Sequence, residues 1–145
     1  MAFVQALPLD NQRNLARALR EIPGAVARVL SNPVVRQLTT TSPEEMPSKS
    51  AVSSALTTLS TFAVVGLRRT PKTFSGAVAE LMNLKGDLPD TEKLPGVTAL
   101  ARMLKRTREI DWLIEQDLAL YNHIADAYRD SAAASADIRT TAAAL

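Results

Sequence analysis

The chain has 145 residues, a net charge of +2 and no cysteine. That length fits one domain with a real hydrophobic core, and the missing cysteines exclude disulfides and thiolate metal sites. Apolar residues make up 46% of the chain but aromatic ones only 4%, so alanine and leucine dominate and the expected fold class is all-α, a helical bundle.

Charge is unevenly placed. Residues 46–85 carry five basic and one acidic residue, whereas residues 86–145 carry seven basic and ten acidic. Opposite signs in separate segments suit packing within the chain or between copies of it. The opening residues, Met1 to Asp10, lack the basic start of a signal peptide, and Pro8 breaks their apolar run; assembly in the cytosol is the expectation.

In chain order, Asp10 is placed to cap a first helix with Leu15, Leu19 and Ile22 on one side and Arg13, Arg17 and Arg20 on the other. Pro23-Gly24 ends it. A short helix over 25–30 follows, and Asn32-Pro33 starts another turn whose apolar side is Val34, Val35 and Leu38. Together these form an N-terminal helical segment, 1–38. Residues 39–48, with Pro43 and Pro47, read as a linker or hinge loop. A bundle core is expected over 49–131, with two long helices at about 48–69 and 97–131. Between them, Thr70-Pro71 signals a helix start and introduces Phe74, Val78, Leu81 and Met82, a helix expected to end near Lys85-Gly86. Pro89 and Pro95 mark a second loop. The 97–131 stretch has no internal glycine or proline, and unbroken it would be ~50 Å long. Residues 132–145 are an alanine-rich arm, expected to be ordered only against a partner.

Residues 50–67 contain no charge. On a helical wheel Val52, Ala55, Leu56, Leu59, Phe62, Ala63 and Gly66 share one face, while Ser53, Ser54, Thr57, Thr58, Ser60 and Thr61 share the other. So many hydroxyls on one face argue against a bilayer span. A solvent-facing helix surface ordinarily carries lysine and glutamate. A face without charge has the composition of the middle of a protein–protein contact, which makes Ser53, Ser54, Thr57, Thr58 and Thr61 the candidate subunit interface.

Catalytic and cofactor signatures are not legible, and the chain reads as a non-enzyme. The single histidine, His123, has no nucleophile motif beside it; glycine-rich phosphate loops, nucleophile elbows and metal-ligand spacings are likewise missing. Glu109, Asp111, Glu115 and Asp117 cluster on the long helix, where carboxylates could hold a divalent cation or form a solvated, salt-bridged face. Arg102, Lys105, Arg106 and Arg108 place four cations within seven residues. They are the alternative contact, to nucleic acid, although no aromatic residue lies among them to stack on bases. The first helix, basic on one side, is a candidate for lying on a membrane surface, a reading weakened by its shortness and by Glu21.

The string Pro23-Gly24-Ala25-Val26-Ala27-Arg28-Val29-Leu30, continued by Ser31-Asn32-Pro33-Val34-Val35, resembles the N-terminal part of the nucleocapsid surface-shell proteins of cystoviruses, enveloped bacteriophages with segmented double-stranded RNA. The resemblance covers 13 residues; beyond them it extends to size, helical character and scarcity of cysteine. It implies a homo-oligomeric subunit, in trimers or higher assemblies, of an icosahedral shell in the virion. Such a shell is built in the host cytoplasm, surrounds an inner viral core and lies beneath a lipid envelope. It further implies contact with membrane during entry, and assembly that can depend on structural Ca²⁺. No ligand residue is carried over by this string.

Overall fold

The structure, a computed structural model, describes residues 11–39, 42, 45–67, 69–84 and 97–143. Among these, every regular element is helical: α1 (Gln12–Arg20), α2 (Gly24–Leu30), α3 (Pro33–Thr39), α4 (Ala51–Leu59), α5 (Pro71–Leu81), α6 (Val97–Leu104), a 3₁₀ turn (Arg108–Ile110) and α7 (Asp111–Ala143). The all-α expectation holds.

Several boundaries differ from those expected, each for a local reason. Asp10 lies outside the described residues; Asn11 caps α1, its side chain accepting from the amides of Arg13 and Asn14. The charge-free helix does not run from 48 to 69. It starts after Ser50, not Ser48, and ends at Leu59. Its last carbonyls are taken by its own hydroxyls, since Ser60 Oγ donates to the Thr57 carbonyl and Thr61 Oγ1 to that of Thr58, both at 2.7 Å. The amides of Thr61 and Phe62 fall back to three-residue bonds. Hydroxyls that bind nearby carbonyls compete with continued helix in this way. Beyond Leu59 the wheel no longer applies: Phe62 is 51% exposed, and Ala63 and Gly66 are exposed with it.

α5 starts as Thr70-Pro71 predicts, but ends at Leu81 rather than near Lys85. Asn83 adopts a left-handed φ of 51°. Its amide bonds to the Glu80 carbonyl and the Leu84 amide to that of Ala79, the paired closure that ends many helices. The expected 97–131 helix is interrupted between Leu104 and Arg108. Arg102, Lys105 and Arg106 lie three and four positions apart, where like charges oppose helix. Thr107 turns extended and is buried, its hydroxyl donating to the Met103 carbonyl at 2.8 Å. The long element reappears further on: α7 has 33 residues, ~50 Å of helix, and its backbone continues through the alanine-rich arm to Ala143 because alanine favours helix. One helix of the bundle is therefore long, not two.

The core joins Val35 of α3, Ala51 and Ala55 of α4 and Leu120 of α7, with Leu38, Val52, Leu56, Leu59 and Ile124 packed around them. Val35 and Leu38 of the N-terminal helical segment thus contribute to the same core as α4 and α7. The alanines allow α4 to approach closely, and Leu120, 1% exposed, fills the space between helices. Leu15 and Leu19 bury the apolar side of α1, which packs at the 3₁₀ turn.

Candidate assembly surface

Two kinds of surface meet in this chain, one closed by its own bonds and one left open. The closed one is the joint between α3 and α7. Asn32 takes a left-handed φ of 43°, a conformation asparagine tolerates better than most residues. Its amide donates to the Leu113 carbonyl at 2.6 Å. Its side-chain oxygen accepts from the amides of Gln116 at 2.8 Å and Asp117 at 3.2 Å. Asp117 answers from the other side, accepting from the amides of Val34 at 3.1 Å and Val35 at 2.8 Å. A carboxylate there satisfies open amides at the start of α3 and complements its positive end.

Arg36 follows on α3. It is only 8% exposed, and its guanidinium donates to the backbone carbonyls of Arg28, Ser42 and Glu45. Ser31, fully buried, donates to the Arg28 carbonyl at 3.0 Å. The side-chain Nε2 of Gln116 donates to the Ser48 carbonyl at 3.1 Å. The string Ser31 to Val35 is therefore the structural hinge-pin of the chain, and Asp117 belongs to it. None of these roles is visible from helical periodicity; the asparagine–proline pair was the one local hint.

The open surface begins on α4. Ser53, Ser54, Thr57 and Thr61 are exposed; Thr58 is half-buried and differs from the others, donating to the Leu38 carbonyl at 3.0 Å and so facing its own α3. Thr57 Oγ1 donates to the Ser53 carbonyl at 3.0 Å. With their protons on backbone carbonyls, Thr57 and Thr61 present methyl groups and acceptor lone pairs outward, a surface cheaper to desolvate than lysine or glutamate.

α5 carries the openness further. None of its 11 residues is buried. Phe74 is 39% exposed, Leu81 and Met82 each 61%. Phe74 lies against Gly66, where a β-carbon would come within 2.3–2.6 Å of it. Between the end of α4, residues 60–65 and α7 lies a hollow of about 410 Å³, lined by Leu56, Leu59, Val65, Ile124, Ala127 and Tyr128, with Ser60, His123 and Ser131 at it. The Tyr128 hydroxyl, missed by sequence reasoning, donates to the Val65 carbonyl and ties that segment to α7.

Two members of the carboxylate cluster have partners within the chain. Glu109 pairs with Arg20 at 3.2 Å, and Asp117 is held by α3 amides. Among the described residues no three of His, Cys, Asp or Glu converge to hold a metal. Arg102, Lys105, Arg106 and Arg108 are all exposed. No described helix is long and apolar enough to cross a membrane. No family model, curated protein or solved structure matches the chain.

Proposed function

We propose that this chain is a structural subunit that works by self-association, building the surface shell of a viral nucleocapsid, rather than an enzyme. The observation that carries the reading is α5, a helix with Phe74, Leu81 and Met82 open to solvent and no buried residue of its own. Fully burying such a side chain stabilises by about 1.5–3 kcal/mol, so covering this helix offers several kcal/mol per copy. The charge-free hydroxyls of Ser53, Ser54 and Thr57 on α4, and of Thr61 just beyond it, add a second face of contact composition. In a symmetric shell each contact recurs, so individually weak interfaces suffice. The shell itself, beneath an envelope and over an inner core in a virion, rests on the likeness of residues 23–35 to cystovirus shell proteins, and membrane contact during entry on the same likeness.

Size-exclusion chromatography with light scattering tests it. The expected mass is a multiple of 15.6 kDa that grows with concentration. A strict monomer at high concentration, with and without Ca²⁺, overturns it.

A further inference from the structure

The break between α6 and α7 has a second consequence. It sets the Arg106–Ile110 end of the basic run against α1, whose own arginines lie about 90 positions earlier in sequence. Gln12 Nε2 donates to the Arg106 carbonyl at 2.9 Å, and Arg20 reaches Glu109 at 3.2 Å. These two bonds fix α1 beside the 3₁₀ turn. Arg13 and Arg17 are carried on this docked helix, and Arg102, Lys105, Arg106 and Arg108 on and just before the turn it docks against.

All seven basic residues are exposed, and among the described residues only Arg20 has a carboxylate partner. Cations on two adjoining segments repel one another wherever they come within the ~8 Å Debye length of physiological salt. That arrangement is unfavourable for the isolated chain and becomes favourable against a polyanion.

We propose that α1 and the α6–α7 junction together form a binding surface for the phosphodiester backbone of a nucleic-acid duplex. Six of the seven are arginines, whose planar forks match phosphate oxygens. An anionic membrane is the weaker fit. An interfacial helix must place its apolar side in lipid, but Leu15 and Leu19 of α1 are 0% and 3% exposed, already in the protein core. An acidic face of a second copy is the remaining rival, and the self-association readout below distinguishes it. Contact through phosphates alone is independent of sequence.

The test uses the full chain and a fluorescein-labelled duplex of about 20 base pairs, with anisotropy read across salt concentration. Binding is expected with a log–log salt slope of roughly −0.9 per phosphate neutralised. The double variant Arg17→Glu, Arg106→Glu is expected to lose at least tenfold in affinity and to flatten that slope by about 2. The control Lys49→Glu, Lys72→Glu makes the same change in net charge elsewhere and is expected to bind within about twofold of the parent, since screened charges outside the surface contribute little. A milder pair, Arg17→Gln and Arg106→Gln, with circular dichroism and light scattering on every variant, separates binding from folding and from assembly. Absence of duplex binding overturns the proposal, as does equal weakening by both charge-reversed pairs. It is also overturned if Arg17 and Arg106 matter only for sedimentation with phosphatidylserine vesicles or only for self-association.

Discussion

The α3–α7 joint and α5 are opposite answers to the same problem. In the joint, the backbone amides of Asn32, Val34 and Val35 and the guanidinium of Arg36 all have acceptors within the chain, and residues 85 positions apart satisfy one another. In α5 the backbone is equally well capped, by Pro71 at the start and Asn83 at the end, yet no side chain is buried. Local signals are enough to make a helix, but packing decides where it belongs. The joint holds the monomer together, and α5 has surface left for another molecule.

Mutation should separate the two. Leu120→Ala empties the contact between α3, α4 and α7 and is expected to lower unfolding stability by about 3 kcal/mol, measured by urea denaturation. Asp117→Ala leaves two α3 amides without acceptors and should lower it by about 2 kcal/mol; a loss below about 0.5 kcal/mol would show that the joint is not where stability resides. Gly66→Ala forces a methyl group against Phe74 and should cost about 1 kcal/mol, with a change in how α5 sits. Smallest of all, Phe74→Ser with Leu81→Ser should leave monomer stability within about 0.5 kcal/mol while lowering the mass seen by light scattering. A large loss of stability from that pair would place α5 in the core and erase the contrast.

What could be read from sequence tracks how local each cause is. Thr70-Pro71 starts α5 and Pro23-Gly24 separates α1 from α2 because their backbone constraints act within one or two residues. Asn83, which ends α5, carried a local signal too, since asparagine is a favoured left-handed residue after a helix. The end of α4 was harder: hydroxyls that stabilise a helix wall when bonded one turn back terminate it when bonded three residues back, and composition does not distinguish the two. The run Arg102, Lys105, Arg106 held the clue to the break in the expected 97–131 helix, because its repulsion acts at helical spacing. The Asn32–Asp117 exchange could not be found this way. Periodicity places Asp117 among carboxylates on a helix and says nothing about which distant amides it meets. For the candidate interface, four of the five hydroxyl residues stand open on the chain and Thr58 faces inward, because α3 lies beside that edge of α4.

Arg36 has a consequence for how the chain resists attack. A stretch such as 39–48, bearing Pro43 and Pro47, has the look of a protease-sensitive tether. Its Ser42 and Glu45 carbonyls, however, solvate the Arg36 guanidinium together with the Arg28 carbonyl. Peeling the stretch away removes two of the three carbonyls that satisfy this mostly buried cation, at a cost of a few kcal/mol, so a protease must wait for that opening. Digestion under native conditions with proteinase K, which does not need the lysine or arginine this stretch lacks, should therefore be slow at the tether, and amide hydrogens on either side of it should exchange together, at the rate of global unfolding.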